Sequence, residues 1–583
     1  MPRRGQALIM VTLAAFALCG VLGLAVDLGW AHFTRKAAQA AADAAAMAAA
    51  TATLANIGQS ASFVCGSTVY CTGVRNCSSP TPVPPANSGD TGCLYAERNG
   101  FAQGGAGGRQ NVTVQAGVGS PPAAPGVTAN YWVTTRVTQS IPQLFASLIS
   151  AQGKIGASAT AAIVDLSIYG SLMLLNREND CVPMESPSQE TCGVDLLVSA
   201  NDNNGHWALQ ADGGIFLASQ KNGTSGDGRY AGENSGGGTI HAPFTYIRGN
   251  GSYHLGGSSQ WIQLPTNAGT NSWYQDPMRG KGQPKAPAGL PDRPVPGGTI
   301  QGSDDPANPV ILQPGNYFAT NAAGTAATGA KLDIRGHVRF SSGGGNFGSY
   351  VFFGGVNITN PATVVTFDPG VYVMAGVKGG GPLFSLSSNA VLKDRTEAME
   401  PNTDAGELFI FTDTNYRGQG EALQIPALVQ PIASQLVHGT AGFQSGNSGV
   451  SITLHGLNRT SGDVPPQYRS FTPVLMWQDQ SNSVVKYTSD GNIDTSCGNP
   501  DGCPNTGLRS RQSPQLVLQG SASVYFYGAI YQPRGAWTSI LGGGDYLVPV
   551  QVVAGALRVQ GNANFSMVQP ATPIARRSVA LVQ

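Results

Sequence analysis

Charge is scarce in this chain. Asp, Glu, Lys and Arg make up only 11% of its 583 residues, and 33 basic side chains balance 33 acidic ones. A nucleic-acid partner would require a basic face, so none is expected. Histidine is rarer still, with seven residues scattered singly at positions 32, 206, 241, 254, 337, 438 and 455. The H-E-x-x-H, G-x-S-x-G and G-x-x-x-x-G-K-[ST] patterns are all missing. Asp304, Asp305 and Asp333 are the candidate acids taken from the strand-rich part, and nothing pairs them into the two flanking carboxyls that a glycosidase needs. The oxygen-rich stretches 201–205 and 490–494 lack the closing Glu of an EF-hand and read as Asx turns. No catalytic, cofactor-binding or metal-binding residue is therefore expected, and a membrane-tethered β-helical carbohydrate-active enzyme or a surface adhesin is the alternative to a non-enzymatic assembly protein. Glycine is abundant at 78 residues, but no G-X-Y period accompanies it, which excludes a collagen-like chain.

What the chain does have is one long apolar opening. Ala7 to Val26 carries no charge and is long enough to cross a hydrocarbon core of about 30 Å. Beyond it, the run from Trp30 to Ala55 is Ala-rich and free of Gly and Pro, so the helix is expected to continue out of the membrane. At ~1.5 Å per residue it would project about 45 Å beyond the lipid. The reading is a cytoplasmic tail at 1–6, a transmembrane helix at 7–26 and a helical extension at 27–57. Arg3 and Arg4 place the N-terminus inside, and Trp30 with Phe33 falls where an interfacial aromatic belt belongs. Ala15, Cys19 and Gly23, four apart, form a small-residue stripe for helix packing in lipid.

Within this opening, Gly5, the Gly23-Leu-Ala-Val-Asp27 exit, Gln39 and the Ala-Asp-Ala block around Asp43 resemble the N-terminal segment of TadE/TadG-like proteins of Flp (Tad) pilus assembly. The resemblance covers about a tenth of the chain. It implies a component of the bacterial cytoplasmic membrane whose head lies in the periplasm or outside the cell. The implied partners are the lipid bilayer and other Tad pilus-assembly proteins or pilus subunits. Pilin-like members of the family are cut after a Gly and carry a Glu five residues later. A cut after Gly5 would put Met10 there, so the helix is read as a retained anchor.

Eight cysteines follow the membrane span in near groups: Cys65, Cys71, Cys77 and Cys93; Cys181 and Cys192; Cys497 and Cys503. An even number in such groups fits disulfides in an oxidising compartment. Residues 58–165 read as a small α+β domain with strands near Asn111–Gln115, Tyr131–Val137 and Lys154–Asp165, and a short helix over Pro142–Ser150. From 166 to 583, short apolar runs separated by Gly, Asn and Asp indicate a large mostly-β head. A β-solenoid is favoured over a β-sandwich, with a break near 393–404. The phrases LQPGNYFA (312–319) and FDPGVYVMA (367–375) hint at an internal repeat.

Overall fold

The computed structural model describes residues 4–582, apart from 58–64, 72, 144–152, 168–169, 176–180, 184–189, 193–194, 203–204, 220–221, 224–229, 269–276, 279–280, 360–361, 379–380, 388, 396–403, 438–440, 446–447, 459–460, 480–514, 544 and 569–573. The chain forms two compact units. One comprises Met1–Leu166 with Ala575–Gln583, and the other is Ser167–Ile574. The second is thus inserted in the sequence of the first.

The first unit is built on helix α1, Arg4–Ile57. Its second half is not a bare stalk. Thr34, Ala38, Ala41, Ala42, Ala45, Ala46, Ala49, Ala50 and Thr53 are buried, and their spacing of three and four defines one helical face. Against it lie alternate residues of an antiparallel sheet: Val112 and Val114 from β1 (Gln110–Val118), Tyr131, Val133 and Val137 from β2 (Tyr131–Ile141), and Ala157, Ala159, Ala161 and Ile163 from β3 (Gly153–Ser167). Period-two strands thereby meet a period-3.6 helix that offers the core chiefly the smallest apolar side chain, alanine. A second helix, α2 (Ser88–Arg98), crosses α1 at Gly92, where a Cβ would lie 3.2 Å from both Ala45 O and Ala49 Cβ. Sequence periodicity did not show α2, although Asn87 caps it by accepting from Asp90 N and Asp90 sits in its first turn. Disulfides join Cys65 to Cys71 and Cys77 to Cys93. The strand Ala575–Leu581 completes the sheet beside β3, with Val582 N donating to Thr160 O at 2.9 Å. Residues 144–152, most of the short helix expected from the sequence, lie outside the described residues.

The second unit is a parallel β-solenoid. Its strands stack in register from coil to coil. Tyr350 pairs with Tyr372 and Tyr372 with Phe409, their rings 5.2 Å apart at each step. That separation follows from strand spacing in a parallel ladder. Strands such as Gly315–Thr320, Gly370–Ala375 and Glu407–Thr412 are buried along their whole length, as expected where both sheet faces are covered. Inside lies Tyr317, Tyr350, Tyr372, Phe409 and their neighbours. On the outer side a second core gathers Phe353, Ile410, Tyr416, Trp477 and Tyr531. The phrases 312–319 and 367–375 carry strands Gly315–Thr320 and Gly370–Ala375, with Gly348–Phe353 stacked between them. Their spacing therefore spans two coils, and coil length is irregular enough to hide the period.

Coils do not stack in chain order. Val552–Ala554 pairs with Leu172–Leu174, Leu557–Gly561 with Leu196–Ala200, and Phe565–Met567 with Leu209–Ala211. The stack therefore begins at Asp292, runs to Met567, continues through residue 172 and ends near Ala268. Residues 281–291 lie along the outside of the stack. Lys281 Nζ donates to Ser470 O at 3.2 Å, Tyr416 OH to Pro284 O at 2.6 Å, Tyr468 OH to Lys285 O at 3.0 Å, and Gly289 N to Gln424 Oε1 at 2.8 Å. At mid-stack, Gln551 secures both ends of the insertion: its Nε2 donates to Gly170 O at 2.6 Å and its Oε1 accepts from Ile574 N at 2.9 Å.

Candidate membrane anchor and assembly surface

The first half of α1 exposes every large apolar side chain it has between Ile9 and Phe33, from 51% at Leu24 to 74% at Met10. In water such a helix would leave a large apolar area unburied, roughly 25 cal/mol for each Å². The length and composition of α1 are those of a membrane span. Trp30 and Phe33 stack with ring centroids 6.0 Å apart, and Thr34 Oγ1 donates to Trp30 O at 2.9 Å, just where the buried Ala face begins.

The sequence-selected residues divide along this helix. Gly5 lies in its first turns. Ala15 and Cys19 are exposed and Gly23 is shielded, with Cys19 a free thiol. Asp27 is buried, 9% exposed, within the otherwise apolar half. Gln39 and Asp43 act together: Gln39 Nε2 donates to Asp43 Oδ1 at 2.7 Å and to Ser158 O of β3 at 3.2 Å. The pair one turn apart thus ties the helix to the sheet it packs on. Cys181 and Cys192 stand opposite each other in a short antiparallel pair, Cys181–Pro183 with Glu190–Cys192. Cys497 and Cys503 lie outside the described residues.

The outer face of the same sheet is polar. Asn111, Thr113, Gln115, Thr134, Arg136 and Lys154 line a groove of about 770 Å³. These are the residues alternate to the core-facing ones, and no carboxylate is among its lining.

The solenoid holds a set of buried charged groups that the sequence did not signal, because they come together from distant coils. Arg339 grips Asp368 through two bonds of 2.8 and 2.9 Å. His455 Nδ1 contacts Asp394 Oδ2, and its backbone N donates to Glu407 Oε2 at 3.2 Å. Asp394, Glu407 and His455 are each 1% exposed, so no solute reaches them here. Burial, and next the Asp394 charge, push the Glu407 carboxyl well above its usual range. Of the expected Asx turns, residues 203–204 lie outside the described residues, and Asp202 makes longer-range bonds. Asp202 accepts from Ala208 N at 2.9 Å and from Thr239 N and Oγ1 at 2.7 and 2.6 Å, joining two coils. Positions 490–494 lie outside the described residues. Asp305 accepts from Asn308 Nδ2 and, secondly, from Ala307 N, which hold its carboxyl below the usual range.

These observations define a class, a membrane-anchoring helix that doubles as the core of a small domain carrying a large β-solenoid. Residues 5–52 match the family model described as putative Flp pilus-assembly TadE/G-like. The match begins in the first turns of α1 and ends within its Ala-lined face, so it spans the exposed half, Gln39 and Asp43. That segment is of the Tad type, and it links the chain to pilus assembly. No curated protein and no solved structure matches the chain.

Proposed function

We propose that the chain is a TadG-like, single-pass membrane component of Flp pilus assembly that works by anchoring and protein–protein assembly rather than by catalysis. Its N-terminus lies in the cytoplasm, and both compact units lie beyond the cytoplasmic membrane, in the periplasm or outside the cell. The observation that carries this reading is the coincidence of the Tad-type match with a helix whose first half is apolar and exposed. Two disulfides in the first unit support an oxidising compartment. The stripe Ala15, Cys19 and Gly23 is the proposed lateral contact for a second membrane helix. Removing the gene should reduce surface piliation. Protease added to spheroplasts should digest both units while the protein keeps its N-terminus and stays with the membrane fraction. Unchanged pili, or a soluble product beginning after residue 40, would overturn the proposal.

A further inference from the structure

The cations of the first unit are unevenly placed. Gln39 bonds Ser158, and Thr53, further along α1, bonds Tyr131, which pairs with Ile163. Going back along α1 toward Trp30 therefore corresponds to going from Tyr131 toward Ile141 on β2. Lys154 lies beyond Ser158 in that direction by about 13 Å, at ~3.3 Å per residue. The same distance along α1 from Gln39, about nine residues at ~1.5 Å each, ends near Trp30. Ser140, the partner of Lys154 on β2, donates its N–H to Arg109 O at 2.9 Å. Arg109 and Lys154 thus stand level with the segment Trp30–Lys36, where the exposed apolar surface of α1 stops. Arg35 and Lys36 lie on that segment, and Arg136, opposite Ser158, lines the polar groove about 13 Å behind Lys154.

All five side chains are exposed. Among the described residues none of them is within ion-pair distance of a carboxylate, whereas Arg75 and Arg577 of the same unit face Asp90 and Asp165. On the same stretch of α1 the acids are Asp27, which is buried, and Asp43, which accepts from Gln39 Nε2 at 2.7 Å. Unpaired cations gathered at the level where a helix leaves lipid meet a matching chemistry there, the headgroup phosphates.

We propose that Arg35, Lys36, Arg109 and Lys154, backed by Arg136, form a collar that binds anionic phospholipid headgroups in the leaflet from which α1 emerges. The collar rests on the membrane-anchor reading and adds a lipid preference to it. It presses the sheet end of the small domain toward the bilayer surface, so the domain is held by a second contact besides the helix.

The test uses the whole chain in vesicles of equal parts phosphatidylcholine and phosphatidylglycerol, followed by gentle extraction and mass-spectrometric counting of lipid that stays bound. Phosphatidylglycerol should be enriched. The enrichment should fall about fivefold for each cation neutralised in R109Q and K154Q, and K154R should retain it. R293Q, which removes an exposed cation of the solenoid, should leave it unchanged. An anchored wild-type chain with no lipid preference overturns the collar alone. So does a loss in R293Q equal to that in K154Q, or a loss in K154R. A chain that enters neither lipid overturns the anchor reading and the collar together.

Discussion

At the scale of single residues, the informative side chains are polar ones that the fold has buried or tied. Gln39 and Asp43 were legible in the sequence because they break an Ala run at helical spacing, and the structure gives them a partner on β3. Glu407 was not legible, since its neighbours Asp394 and His455 come from other strands and only stacking brings them together. Its raised carboxyl has a stability consequence with a definite sign. The folded chain holds this proton at pH values where the unfolded chain, with a Glu pKa of about 4.3, has lost it. Its contribution to stability is therefore present below that pH and is lost as pH rises toward the folded value. E407Q keeps an acceptor for His455 N without the charge. It should be neutral near pH 4 and stabilising by about 1–3 kcal/mol near pH 7. Thermal denaturation of both proteins across this range checks it. An equal difference in melting temperature at the two ends would refute it.

Elements carry the next level of argument. The apolar half of α1 is unambiguous from composition alone. The Ala half is not, because alanine suits a solvent-bathed stalk and a tight interface equally well by propensity. Only the structure distinguishes them, through the buried face at positions 38 to 53 and the close crossing at Gly92. That crossing leaves no room for growth. A49L should destabilise the first unit by about 1–3 kcal/mol, visible as faster proteolysis of α2 with the solenoid unaffected. Equal proteolysis rates in A49L and wild type would show that the interface is loose. The solenoid strands were legible as short apolar runs, and stacking them in parallel followed from low charge and loose spacing. Their edges are also written in sequence. In the terminal strand Asp292–Pro296, residues 291 and 297 bond toward Gly315–Thr320, so positions 294 and 296 turn their nitrogens to the uncovered side. Both are proline. The outer edge thus lacks the donors that another strand would need.

For the whole molecule, connectivity was the part the sequence concealed. Nothing in Ala575–Leu581 distinguishes it from another solenoid strand, yet it joins the sheet beside β3. Likewise no local pattern reports that residue 172 will find residue 552. Such pairings are settled by which edges remain open once nearer ones have closed, and that is a property of the assembled stack. Ending the chain at residue 549 should therefore harm both units at once. The strand at 172–174 loses one of its two neighbours, keeping Ile215–Leu217, and the small sheet loses its last strand. Limited proteolysis should cut within 167–268 and within β3. A shortened chain with both regions as resistant as wild type would refute this linkage.

The permuted stack also acts on time. Coils at 172–268 emerge from the ribosome early, and the coils they must lie against in the middle of the column, at 550–567, emerge hundreds of residues later. For that interval the early coils have one bare side. Loop closure over such a separation is slow compared with local stacking. The column can close only from two halves meeting, and the second half arrives tethered by the segment 281–291. Closure is then a test of integrity: a chain broken or halted before residue 550 leaves the seam open and presents bare strand edges to whatever surveys unfinished proteins.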